Sequence, residues 1–352
     1  MKTGKIPPEI LQKTILPFTG ARRKEVLVGP KFGEDCAVLD LGKYLLVLST
    51  DPITGATADL GKLAVHVSCN DVAATGAEPV GILFTLLLPP GTGEDFLAPL
   101  IQEIHHTAAE INVAVLGGHT EITPVVNQVV VSATAVGKVT RENLVTSSGA
   151  RPGDDIILTK SAGLEGTAIL AGELAPLLSR HLPPGVLEGA QALGKQLSVI
   201  PEGTIAAGAG ATAMHDVTEG GVRGALVELA TASGVGLEVW EEAIPIAPET
   251  RAICQYLGID PLGLISSGAM LITAPPKSQV MAALAQAGIP AHIIGRIQAQ
   301  PGFFLVRGDG ERKVLTVPER DELYAALEKH AANRQPGLLQ TMIVPIQKRG
   351  QP

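Results

Sequence analysis

Four short clusters in the first half of the chain set a carboxylate beside a small or turn-forming residue: Gly33-Glu34-Asp35, Ser49-Thr50-Asp51, Cys69-Asn70-Asp71 and Gly117-Gly118-His119-Thr120-Glu121. Magnesium takes hard oxygen ligands and commonly draws only a few from protein, leaving water and nucleotide phosphate oxygens to fill its octahedron. Carboxylates with no matching Lys/Arg cluster suit that chemistry. Any one of these acidic residues could equally be a turn former or a helix cap. Asp51 stands apart because an apolar run precedes it, and sites in open α/β sheets gather at strand carboxyl ends.

Asn70-Asp71 interrupts an Ala/Val-rich stretch that otherwise reads as a buried helix, so something polar must face the pair: a buried hydrogen-bond partner, a metal or a nucleotide. Lys62, after Gly61, could neutralise a phosphate or simply be a solvated lysine. Gly117-Gly118 lets the backbone approach a ligand, with Glu121 adding a carboxylate just beyond. In the second half, Met214-His215-Asp216-Val217-Thr218-Glu219-Gly220-Gly221 leads into a helix, where Asp216 or Thr218 could cap or free N–H groups could bind an anion. His119 and His215 could each move a proton. The sequence contains no G-x-x-x-x-G-K-[ST] loop and no convincing G-x-G-x-x-G opening a first helix, which argues against the two common nucleotide folds.

The elements that must position these residues read as follows. Tyr44–Thr50 is a buried strand, Lys62–Gly76 a helix, and Val80–Leu88 a strand closed by Pro89-Pro90. Glu94–Ile111 has helical spacing, Val113–Leu116 is a strand entering a Gly117-Gly118 turn, and Asn127–Val139 alternates as a strand. Arg141–Asp155, rich in Ser, Gly, Pro and charge, is the linker, and the chain divides near residue 150. Beyond it the pattern restarts: strand Ile156–Thr159, helices near Gly166–Ser179, Val186–Leu197 and Val222–Ser233, and strands Ala269–Thr273 and His292–Ile297. The expected organisation is residues 1–150, residues 151–332 and a peripheral tail, 333–352.

The 352 residues are 45% hydrophobic and 18% charged, which supports a sizeable core and excludes a disordered chain. Aromatic residues make up only 3%, so that core must be aliphatic. A net charge of −8 without a basic block argues against nucleic acid as a partner. Apolar stretches such as Val80–Pro90 are too short to span a bilayer, and Met1–Lys13 lacks a signal-peptide core, so no membrane association is expected. Cys36, Cys69 and Cys254 are widely spaced, which fits neither a disulfide framework nor structural zinc and suits the cytoplasm.

In this order the clusters resemble the aminoimidazole ribonucleotide (AIR) synthetase superfamily, over about residues 30 to 310. The motifs that carry the resemblance are Gly33–Leu39, Ser49-Thr50-Asp51, Gly61–Val65, Asn70–Pro79 and Gly117–Glu121, with Ala150–Asp154 and Asp216–Gly221 in the second half most like its hydrogenase-maturation branch. The resemblance implies an α/β (α+β) fold in two domains. An N-terminal mixed-sheet domain would pair with its copy in a homodimer and bind ATP against the partner subunit, and a C-terminal α/β sandwich domain would follow. It also implies a Mg2+-dependent enzyme that phosphorylates a carbonyl- or amide-type oxygen of a small substrate, in hydrogenase or other cofactor maturation, with a small molecule or a maturation protein as partner. Carried over by position, Asp35, Asp51, Asp71 and Glu121 would hold magnesium. Lys62, Asn70, Gly117, Gly118, Thr218, Gly220 and Gly221 would contact the nucleotide. Asp71, Asp216 and His119 would act in catalysis, and Lys2 or Lys5 could reach phosphate.

The hydrogenase-maturation branch ends in a reactive cysteine, whereas this sequence ends Lys348-Arg349-Gly350-Gln351-Pro352. That departure leaves two alternatives beside amide activation: a kinase similar to thiamine-monophosphate kinase, and a non-catalytic dimeric nucleotide-binding assembly protein.

Overall fold

The computed structural model describes residues 5–53 and 59–330. Lys2, the tail beyond residue 330 and its apolar run Met342–Ile346 lie outside them. The first sheet is built from β1 (Val26–Val28), β2 (Ala37–Asp40), β3 (Leu45–Ile53), β4 (Glu78–Leu88), β5 (Ala114–Ile122) and β6 (Val130–Val139), in the order β1-β2-β3-β6-β4-β5. Helices α1 (Pro8–Thr14), α2 (Leu60–Ala74) and α3 (Glu94–Glu110) accompany it. β3 and β4, joined by α2, both run antiparallel to β6, which lies between them, so the strand–helix–strand order of the sequence is a split βαβ unit. Only β4 and β5 pair in parallel.

The strand ending at Thr50 in the sequence reading continues to Ile53. Asp51 therefore lies within β3, opposite Ala133, rather than just past its end. β2 stops pairing at Leu48, so the far end of β3 is laddered on one side only, where Pro52 is tolerated. The Gly117-Gly118 turn is also corrected: β5 runs straight through the pair. Leu116 is the extra residue of a bulge, and Gly118, at φ +144°, crosses β4 so closely that a Cβ would lie 1.8 Å from the Phe84 carbonyl oxygen. Gly118 serves strand packing and Gly117, at φ +127°, serves the path of the backbone; neither makes a turn.

The second sheet contains β7 (Asp155–Thr159), β8 (Ala213–Asp216), β9 (Gly236–Trp240), β10 (Met270–Ala274), β11 (Ala291–Gln298), β12 (Phe303–Val306) and β13 (Arg312–Val314), in the order β13-β12-β9-β11-β7-β10-β8. All neighbours are antiparallel except β9 and β12. Its helices are α4 (Leu164–Glu173), α5 (Ala175–Leu178), α6 (Pro184–Leu193), α7 (Ile200–Gly208), α8 (Gly221–Ser233), α9 (Pro248–Leu257), α10 (Val280–Gln286) and α11 (Glu322–Lys329). β7 and β10 lie inside the sheet and are buried at every position, with apolar middles covered on both faces, whereas β8, at the sheet edge, is buried although it ends in His215-Asp216. The core is aliphatic throughout, led by Ile156, Ile157, Leu158, Leu226 and Leu229.

α2 is apolar almost all round, which makes it an interior helix, packed on β3 and β6 on one side and on the second sheet's α7 and β8 on the other. It is the element that the two sheets share.

Candidate functional site

Two adjacent faces of α2 have separate tasks. Leu63, Val67 and Asp71, four residues apart, line a cleft at the seam between the sheets. Lys62, His66 and Asn70, one position earlier in each turn, face the segment 194–199: Lys62 Nζ donates to the Gly194 carbonyl oxygen at 2.5 Å. Asn70 is fully buried, donates through Nδ2 to Leu197 O at 2.7 Å and accepts the Val199 N–H at 2.9 Å. The adjacent polar pair of the sequence is thus one seam residue and one cleft residue.

β3 delivers its alternate side chains to the same cleft. Ser49 and Asp51 share the helix-facing side, and Ser49 Oγ donates to Asp71 Oδ2 at 2.5 Å. The loop before β2 docks on α8, so tightly that a Cβ on Gly33 would meet the Glu228 carbonyl oxygen, and this carries Asp35 across to the second sheet. There Asp35, His215 and Asp216 each offer a ligand atom within 4.8 Å of the others. The cleft encloses about 140 Å³. Lys5, Asp35, Asp51, Asp71, Glu165, Thr218, Glu219 and Ser267 supply its polar lining; Leu63, Val67, Ile169, Ile265, Leu323 and Tyr324 supply much of the rest.

Crowding of carboxylates in a dry seam shifts their protonation. Burial, then the charges of Asp216 and Asp51, raise Asp71 well above the ordinary carboxylate range. Burial and Asp35 raise Asp216 to about 7, against partial relief from His215 and Lys5. Burial alone would lower His215, but Asp35, Glu228 and Asp216 outweigh it and raise the imidazole. Lys5 donates its backbone N–H to Glu219 Oε1 at 2.8 Å and sets Nζ 3.5 Å from Glu228; desolvation beside the protein surface would lower its ammonium, but the acidic groups around it, led by Glu228 and Asp35, outweigh this and raise it. Both oxygens of Asp216, 1% exposed, lack a hydrogen-bond partner. Unpaired buried carboxylate oxygens beside further carboxylates fit a divalent cation.

Of the residues singled out in the sequence, Asp35, Asp51, Asp71, Asp216 and Thr218 come together here. Lys62 and Asn70 do not line the cleft; backbone groups of the second domain, the Gly194 and Leu197 carbonyls and the Val199 N–H, occupy their polar ends. Gly117, Gly118, His119 and Glu121 lie on β5, an exposed sheet edge, where His119 Nε2 is 3.1 Å from Glu121 Oε2. Gly220 and Gly221 turn the chain into α8, and the anion at that helix start belongs to the protein itself: Gly220 N–H donates to Asp321 Oδ2 at 2.7 Å, while Gly221 N–H donates to Thr218 O. Gly221 is required there, since a Cβ would lie 2.6 Å from Leu262 O at φ +61°. Sequence reasoning missed Glu165, Glu228 and Asp321. Glu165 and Glu228 are lone acids inside apolar helical runs, which was their only signal, and Asp321 sits in the charged run Glu319-Arg320-Asp321-Glu322, where nothing sets it apart.

Two mixed sheets with an acidic cleft at their seam define a two-domain α/β protein able to hold a cation and an anionic ligand. The chain matches AIR synthase related protein, N-terminal domain, over residues 33–139 and AIR synthase related protein, C-terminal domain, over residues 151–308, and it belongs to that family. It is 32% identical over 287 residues to the carbamoyl dehydratase HypE of Azotobacter vinelandii, covering 77% of this chain and 80% of the relative. Among solved structures it resembles E. coli HypE, a hydrogenase maturation protein, with a TM-score of 0.69 and 26% identity over 80% of this chain and 88% of the other. A hydrogenase maturation protein HypE in complex with ATP shares the fold, with a TM-score of 0.65 and 24% identity over 91% and 97% of the two chains.

Proposed function

We propose that this protein is an ATP- and Mg2+-dependent enzyme that phosphorylates a carbonyl- or amide-type oxygen of a small substrate and so prepares it for dehydration, in hydrogenase or other cofactor maturation. The observation that carries the reading is a single cleft lined by Asp35, Asp51 and Asp71 of one domain, with Asp216 of the other domain directly beside Asp35. These four carboxylates would hold magnesium, which when bound neutralises charge on the triphosphate. Ser49 orients Asp71 through its 2.5 Å hydrogen bond, and the aliphatic wall from Leu63 to Leu323 keeps bulk water from the transfer. The relatives named HypE, one of them solved with ATP, support the nucleotide.

The cleft lining sets one ammonium, Lys5, against Asp35, Asp51, Asp71, Glu165 and Glu219. This balance favours a neutral acceptor over the phosphorylated one that a thiamine-monophosphate-kinase-like reaction needs. His119 and Glu121, exposed on β5, would reach the cleft of a partner subunit in a homodimer.

Asp71→Asn tests the assignment. Magnesium-dependent phosphate release from ATP should fall at least 100-fold while circular dichroism and the unfolding curve stay close to those of the parent, and unchanged turnover would refute the reading.

A further inference from the structure

We propose a second metal site in which His215 Nε2, Asp35 and Asp216 bind a divalent transition ion of the zinc or manganese type, with Glu228 beside it. Asp35 and Asp216 are shared with the proposed ATP site, but the inference goes beyond that reading, because a nitrogen ligand serves no purpose for magnesium.

The tautomer of His215 comes from its surroundings. Nδ1 lies 2.7 Å from the Asp216 carbonyl oxygen, which can only accept, so Nδ1 donates and carries the ring proton. In the neutral ring the Nε2 lone pair then faces carboxylates: Asp35 Oδ2 at 3.6 Å and Glu228 Oε2 at 3.5 Å. Lone pairs aimed at one another repel unless a cation lies between them. Nε2 has no hydrogen-bond partner, neither has either oxygen of Asp216, and both residues are 1% exposed. The 3.6 Å between Nε2 and Asp35 Oδ2 fits an ion, since ligands roughly 2.1 Å from a tetrahedral centre stand about 3.4 Å apart, and an oxygen of Asp216 lies within 4.8 Å of both. The backbone hydrogen bond on Nδ1 is the outer contact that fixes a metal-binding imidazole in its ligating form. Lys5 Nζ, 3.5 Å from the other oxygen of Glu228, is the competing cation on the open side of the cluster.

The test uses the full chain, stripped with chelator and free of nucleotide, with the surface pair His105 and His106 changed to Gln so that it contributes no imidazole. Calorimetry with ZnCl2, MnCl2 and MgCl2 should show one zinc per chain bound at least 100-fold more tightly than magnesium. His215→Gln should weaken zinc at least tenfold and leave magnesium within twofold. Equal zinc and magnesium affinities, or zinc affinity unaffected by His215→Gln, would overturn the proposal. If that variant does not fold, pulsed EPR of the Mn2+-loaded chain with His215 in place decides: 14N modulation from a coordinated imidazole supports the site, and its absence overturns it. So does a His215 that stays imidazolium at pH 8 by 15N NMR with zinc present, since a proton would then fill the gap. Loss of ATP turnover in Asp71→Asn with zinc binding intact separates this site from the ATP reading.

Discussion

Asp321 accepts three backbone N–H groups, from Gly220 at 2.7 Å, Leu323 at 2.8 Å and Ile265 at 3.2 Å, and so ties the α8 turn to the start of α11 and to one wall of the cleft. Burial dominates its protonation and raises its carboxyl to about 7, although the three donors pull the other way. Between the ordinary carboxylate range and about 7 the folded chain keeps a proton that the unfolded chain has released. The contribution of Asp321 to stability is therefore full at acid pH and is lost as pH rises through about 7. Urea unfolding from pH 4 to 8 should show that decline in the parent and a shallower one in Asp321→Asn. Asp321→Ala leaves three donors unpaired and should cost on the order of 3 kcal/mol. A parent curve that rises through this window would contradict the burial argument.

At the scale of elements, the seam is held from both sides of segment 194–199. Lys160 has a left-handed backbone at φ +54° and sends Nζ to the carbonyl oxygens of Gln196, Ser198 and Gly268, and to Glu202 at 2.6 Å. Asn70 grips the same segment from α2. Because Asp71 is the next residue, the rotation that satisfies Asn70 also aims Asp71. Asn70→Ala should cost on the order of 2 kcal/mol in urea unfolding, since it leaves Leu197 O and Val199 N–H unpaired in a dry seam, and should weaken Mg-ATP about tenfold by calorimetry. Affinity lost with stability unchanged would restore the phosphate contact expected from the sequence. Stability lost alone would mean that the seam does not aim Asp71. Part of this was legible in the sequence: two polar residues in an apolar helix signalled a partner, and the apolar run before Asp51 marked that residue, but the run does not alternate and was read as ending at Thr50, so the face that Ser49 and Asp51 share was not. The partners were not legible. Gly194, Leu197 and Val199 take part through backbone atoms, which leave no trace in residue type, and Glu228 and Asp321 lie far from the acids they serve.

At the scale of the molecule, the first sheet is covered by helices on one face only. Ile82, Phe84, Leu86 and Leu88 of β4 point into the core with Val131, Ala133 and Ala135 of β6, whereas Leu83 and Leu87 lie on the opposite face with Val130 and Val136. That face carries aliphatic side chains without a covering layer among the described residues, and beside it β5 is exposed along its whole length, including Val115, Leu116 and Ile122. An aliphatic sheet face with an unpaired edge is a surface that a second copy covers at small cost. A homodimer through this face would explain why His119 and Glu121 stand away from the cleft of their own chain: a copy docked there would present them to the other subunit. Leu83→Glu places a charge in the middle of the face, on an outward position whose loss leaves the core intact. Sedimentation equilibrium should then give a monomer where the parent gives a dimer, with little change in circular dichroism. ATP turnover should fall at least tenfold in the monomeric variant although Asp35, Asp51, Asp71 and Asp216 are untouched. A monomer with full turnover would show that each cleft is complete within one chain and would remove His119 and Glu121 from the site.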